Sequence, residues 1–138
     1  MAKQIIRQPS VGTWLQIATG VFFVTLGIAE LSAQDAWFGG IFAGVSQPFG
    51  PDGDVVNVVA SLIELVGGIG LLAMLFVPFS PGVYRGLMIA TLVVWGLRVL
   101  YHRVFTDVAE PDPVLWLNAI ALDLIVGFVL WMLAARGR

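Results

Sequence analysis

The sequence contains no cysteine, a single histidine and few charges of either sign: seven Lys and Arg and nine Asp and Glu, 12% of 138 residues. The missing thiols exclude disulfides, thiolate nucleophiles, Cys-ligated zinc, iron–sulfur ligation and the paired-cysteine redox chemistry of thioredoxin-like proteins. His102 stands between Tyr101 and Arg103 with no second histidine in the chain, so it makes a poor metal or haem ligand, and no metal site is expected. A haem held between protomers is the one such arrangement left open. The net charge of −2 and the scattered basic residues give no positive field for a phosphate backbone, which removes nucleic acid as a partner. The patterns GxGxxG, P-loop, HExxH, GxSxG and those of kinases are absent, as are internal repeats and low-complexity tracts. The run Gly67-Gly68-Ile69-Gly70 lies too deep in an apolar stretch to cradle a phosphate and suits close helix packing instead. No catalytic residue stands out, and the chain is not expected to be an enzyme on its own.

What the sequence does have is apolar length. Hydrophobic residues make up 59% of it, and they fall in runs too long for a half-exposed helix of a soluble domain, where charged residues are roughly a quarter of the total. Four stretches of about 20 residues can each cross a hydrocarbon core of about 30 Å: 11–31, 55–76, 83–101 and 114–134. The reading is all-α, a single membrane domain over 1–138 built as an integral membrane four-helix bundle. The first run exceeds the about 7–15 residues of a signal-peptide core, so it is expected to be an uncleaved helix. Ser80-Pro81 and Asp112-Pro113 each place a capping side chain ahead of a proline at the first helical position, where a missing N–H costs nothing.

Charge asymmetry gives an orientation. With the N terminus inside, the inner segments hold Lys3, Arg7, Arg85, Arg136 and Arg138, and the outer ones hold Asp35, Asp52, Asp54, Asp107, Glu110 and Asp112. Both termini are then cytoplasmic, in a multi-pass protein of the inner (plasma) membrane; Arg98 and Arg103 alone run against the rule. Trp14, Trp37, Trp116 and Trp131 fall near helix ends, where an indole meets both lipid and headgroups. The short connection 77–82 makes the second and third helices antiparallel neighbours. The first outer loop, about Ser32 to Asp54, is long, and its apolar, aromatic part from Asp35 to Val45 is expected to form a short interfacial helix or re-entrant piece.

Each ionisable group inside lipid needs a reason, since one at mid-helix costs something like 2.5–3.5 kcal/mol on insertion scales. The candidates are Glu30, Glu64, Arg98 and Asp123. Glu64 and Asp123 each follow the outer start of their helix by nine residues, about 13–14 Å of rise, which sets them level near mid-membrane. Asn57, Ser61, Glu64 and Gly68 share one face of the second helix, and Gln16, Gly20, Phe23, Gly27 and Glu30 one face of the first. Thr91, Trp95, Arg98 and His102 align on the third. Turned inward, these stripes predict a polar cavity open toward the outside, with Glu64 and Asp123 at its floor, Glu30, Arg98 and His102 nearer its mouth, and Asn57 on the same face as Glu64. Trp95, Phe23 and Tyr101 are the aromatics placed to face a ligand, such as a quinone ring whose oxygens meet Arg98 or His102. The same residues also read as interhelical glue, an ion pair plus a protonated carboxyl, with small residues letting backbones approach.

The first helix, Leu15 to Leu31, the second, with Leu62-Ile-Glu-Leu-Val-Gly-Gly-Ile-Gly-Leu-Leu72, and the histidine closing the third together resemble the DoxX-type family of small four-helix bacterial membrane proteins. Glu64, Gly67 and Gly68 follow the family's glutamate and paired glycines. Glu30 stands where the family pattern has a lysine, so a role resting on that lysine does not carry over. The resemblance implies an accessory or anchor subunit of a respiratory or quinone-linked redox complex, with other membrane-bound subunits and the lipid bilayer as partners. Two rival expectations follow from the residues alone: a small proton-coupled carrier working through the buried carboxylates, and a purely structural or assembly protein.

Overall fold

The computed structural model describes residues 10–33, 54–106, 108–109 and 112–136. They form four helices: α1 (Val11–Ala33), α2 (Asp54–Ala73), α3 (Pro81–Leu100), prolonged by a π-helical turn (Tyr101–Thr106), and α4 (Pro113–Arg136). All four are long and apolar enough to cross a membrane, and the chain folds as an antiparallel bundle of them. Trp37, the interfacial helix expected in the first loop, and the terminal basic residues Lys3, Arg7 and Arg138 lie outside the described residues.

The helix starts follow local chemistry. Ser80 accepts from the Val83 N–H at 3.4 Å with Pro81 next in line, and the Asp112 carboxylate accepts from Val114 at 2.7 Å and Leu115 at 3.1 Å ahead of Pro113. Ser10 does the same for α1, accepting from Thr13 at 3.3 Å. The ends depart from expectation in two places. The second helix stops at Ala73 rather than at 76, because residues 74–77 tighten into turns in which Leu75 donates to Leu72 and Phe76 to Ala73. That tightening releases the Leu71 carbonyl, which takes the Gln16 side-chain N–H at 2.8 Å instead. The third helix does not end at Tyr101; it widens into the π turn and runs to Thr106, whose hydroxyl donates to the Tyr101 carbonyl at 3.1 Å.

Packing is uneven. The α1–α2 pair is the most intimate, and α1 meets α4 only lightly. Glycines set the α1–α2 approach: a Cβ on Gly68 would lie 2.6 Å from the Val24 nitrogen and 2.8 Å from the Gly20 carbonyl oxygen, and one on Gly27 would lie 2.9 Å from the Ser61 carbonyl oxygen. Backbone therefore rests on backbone, which is how helices gain van der Waals contact where lipid removes the hydrophobic drive to associate. Phe23, Leu71, Met88, Trp95, Leu130, Leu133 and Ala134 make the core. All buried residues of α4 fall in its last two turns, and the rest of that helix presents Leu117, Leu124, Ile125 and Phe128 outward. Trp14 and Trp131 are 60% and 59% exposed, the environment a belt indole occupies.

Gly68→Leu is expected to drive α1 and α2 apart and cost at least about 2 kcal/mol in reversible unfolding in detergent, because a backbone cannot give way as a side chain can. Gly86→Ala, where an added Cβ meets nothing within 4 Å, is expected to leave stability unchanged or raise it by up to about 1 kcal/mol.

Candidate functional site

Two arginine–carboxylate sites, both served by the third helix, occupy the bundle. In the first, Arg98 Nη1 pairs with Glu30 Oε1 of α1 and with Glu64 of α2, at 3.3 Å from Oε2 and 3.4 Å from Oε1. Glu30 and Glu64 have no exposed surface, and the Arg98 side chain is 13% exposed. Ser61 Oγ stands 2.8 Å from the Asn57 carbonyl and 3.1 Å from Glu30 Oε2, so one hydroxyl proton faces two acceptors. Asn57, Ser61 and Thr91 are buried as fully as the carboxylates. The cluster thus has three helices as walls and contains two acids for one guanidinium. In a low-dielectric interior, such charges persist only when they are paired and hydrogen-bonded.

Trp95 sits under this cluster and joins it to the second site. Its ring lies 5.4 Å beneath the Arg98 guanidinium carbon and meets Phe22 and Phe23 edge to face at 5.7 and 5.5 Å. Its indole N–H reaches across to the Asp123 carbonyl of α4 at 3.0 Å. The Asp123 carboxylate pairs through Oδ2 with Arg103 Nε at 2.9 Å, the two side chains being 17% and 28% exposed. The Arg103 carbonyl in turn accepts the Trp116 indole N–H at 3.0 Å. Beside this pair a groove of about 470 Å³ opens between α3 and α4, walled by Trp95, Val99, Ile120, Leu124 and Phe128 with Gly96 and Gly127 keeping it wide.

Of the residues singled out from the sequence, Glu30, Glu64, Arg98 and Asn57 lie together at the buried face where α1, α2 and α3 meet. Asp123 does not join them. α4 packs on α3, and Asp123 pairs there with Arg103. Phe23 is fully buried in the aromatic stack, whereas Trp95 both stacks there and borders the groove. Tyr101 and His102 are half-buried in the π turn and meet each other edge to face at 5.3 Å. Arg103 is the functional-site residue the sequence reading passed over as a loop charge. The signal was there in Val104 and Phe105, which resume the apolar pattern after the polar triplet Tyr101-His102-Arg103. Among the described residues no three His, Asp or Glu side chains come together as a metal site would need.

Comparison with known protein families, with curated proteins and with solved structures finds no match to this chain.

Arg98→Met is expected to destabilise the bundle by about 3–5 kcal/mol, since it strands two buried carboxylates. Adding Glu30→Gln and Glu64→Gln to that variant should recover much of the loss, because the anions leave with their partner. Arg103→Met, at a partly solvated pair, should cost no more than about 1–2 kcal/mol. Unfolding in a detergent–denaturant mixture reads all three.

Proposed function

We propose that the chain is a DoxX-like integral membrane accessory subunit of a quinone-linked redox assembly, with both termini on the cytoplasmic side of the inner membrane, and that the α3–α4 groove holds a lipid-soluble ring. The observation that carries this reading is the groove itself: apolar walls of ring-sized span ending at a guanidinium fixed by a carboxylate. Its volume lies within the about 300–1,000 Å³ of small-molecule sites, and such sites pair apolar walls with a few placed polar groups. A ring bearing carbonyl oxygens fits these residues. Arg103 would donate to an oxygen, Asp123 would hold the guanidinium in place, and Trp95 would close the inner wall. The quinone supplies two-electron chemistry that no side chain of a cysteine-free chain can supply, and the electrons must come from a partner subunit. The Glu30–Arg98–Glu64 cluster supports the groove by fixing Trp95 from the opposite side.

A second reading has one observation in its favour. Two carboxylates against one guanidinium leave an excess negative charge that one proton would balance, and the Ser61 hydroxyl is a donor beside Glu30. That suits a small proton-coupled carrier working through Glu30 and Glu64.

Gly96→Leu fills the groove from a position where an added Cβ meets nothing within 4 Å. Mild-detergent purification from native membranes, with mass spectrometry of co-eluting quinone and subunits, should give wild-type chain with both and Gly96→Leu with folded chain and at least about fivefold less quinone. Quinone unaffected by Gly96→Leu and by Arg103→Leu would reject the groove assignment. A chain that elutes alone while Glu64→Gln abolishes proton uptake in vesicles would replace this reading with the carrier.

A further inference from the structure

The end of the bundle at which α1 begins and α4 ends contains a second cavity, of about 420 Å³, to which all four helices or their connections contribute. Gln16 of α1, Met74 and Phe79 at the α2–α3 connection, Tyr84 of α3 and Arg136 of α4 line it. Arg136 reaches over Gly12 of α1, where any side chain would collide with the guanidinium, so this glycine leaves room for the arginine to fold back across the bundle end. Arg85, one residue beyond Tyr84, is exposed and lines a neighbouring small cavity beside Trp131.

Among the described residues this end has cations and no Asp or Glu side chain. The sequence contains no aspartate or glutamate within residues 1–10, 74–86 or 135–138, and the first turns of α1 and α3 contain none either. The nearest acid along α4 is Asp123, thirteen residues or about 20 Å of helix rise from Arg136, and it is already paired with Arg103. These segments therefore offer Arg136 no Asp or Glu side chain as a partner. Gln16 spends one amide N–H on the Leu71 carbonyl and has a second to offer, and the Tyr84 hydroxyl is a further donor on the same wall. Met74, Val77 and Phe79 give the remaining wall an apolar lining, with Val77 and Phe79 also exposed outward.

A guanidinium and neutral donors above an apolar shelf, at the level where membrane-spanning helices end, match one kind of ligand. We propose that this cavity binds the phosphate of an anionic phospholipid, with Arg136 as the principal contact, Tyr84 and Gln16 as neutral donors, and the glycerol and upper acyl chain against Met74, Val77 and Phe79. Arg forms bidentate, charge-assisted bonds to phosphate, and basic pockets between helix ends are established headgroup sites in membrane proteins. Arg85 adds attraction for the same charge without touching it. The site is separate from the α3–α4 groove and does not depend on what that groove holds.

The test uses the purified full chain in neutral detergent. Native mass spectrometry counts retained lipid, and thermal unfolding is followed on titration with phosphatidylglycerol, phosphatidylcholine or inorganic phosphate. Phosphatidylglycerol should be retained and raise the melting temperature, phosphatidylcholine should do so at least about fivefold less effectively, and inorganic phosphate at millimolar concentration should not act. Arg136→Gln should weaken phosphatidylglycerol binding about five- to tenfold, Tyr84→Phe about two- to threefold, and Arg136→Lys should fall between wild type and Arg136→Gln. Melting of each variant without added lipid separates lost binding from lost folding. Equal retention of the two lipids, or wild-type binding by a folded Arg136→Gln, overturns the proposal. Stabilisation by inorganic phosphate as strong as by phosphatidylglycerol overturns the lipid assignment in favour of a soluble anion.

Discussion

A charge within a bilayer must find its partner inside the protein, and in this bundle that requirement converges on Arg98. Its guanidinium meets one acid from α1 and another from α2 while lying on the ring of Trp95, so a single side chain of α3 sets the relative depth and rotation of three helices. Van der Waals contact alone tolerates sliding and rotation along a groove; an ion pair with no water to replace it does not. The buried Asn57, Ser61 and Thr91 extend the same polar seam along helix faces that are otherwise apolar.

The two halves of the bundle solve different problems. Where α1 meets α2, glycines bring main chain against main chain and leave no space. Where α3 meets α4, the contact is held by side chains: the Trp95 indole on the Asp123 carbonyl, the Trp116 indole on the Arg103 carbonyl, and the Arg103–Asp123 pair. Side chains reaching across keep the backbones apart, and glycines at 96 and 127 then widen the gap rather than close it. The same residue type serves opposite ends because its consequence depends on what stands opposite. One half becomes a rigid frame and the other a groove.

Much of the architecture was legible in the sequence. Length and composition of the apolar runs gave four spanning helices, and Ser80-Pro81 and Asp112-Pro113 marked two starts because capping is a local interaction. Helix phase placed Glu30, Glu64 and Arg98 toward one centre, since a spacing of three and four residues says which face a side chain takes. It did not say which neighbour that face would meet. Depth alone grouped Asp123 with Glu64, yet pairing depends on which helices adjoin, and that is set by contacts far apart in sequence, glycines between α1 and α2 and side chains between α3 and α4. The π turn was hidden for a related reason. Tyr101-His102-Arg103 looks like a helix end when polarity is read along the chain; Val104 and Phe105 were the local sign of continuation, and the partners that hold it, Asp123 and Trp116, lie on another helix.

The third helix supplies both guanidiniums of these sites, while α1, α2 and α4 contribute one acid each. Chain order gives that division a temporal side. Synthesis delivers Glu30 and then Glu64 well before Arg98, so these two acids exist for a time without the guanidinium that pairs them. A carboxyl enters lipid far more readily as a neutral acid than as an anion. The first two helices therefore carry unpaired acids until α3 arrives with Arg98, and Arg103 in turn waits for Asp123 on α4, so each later helix completes a pair begun by an earlier one.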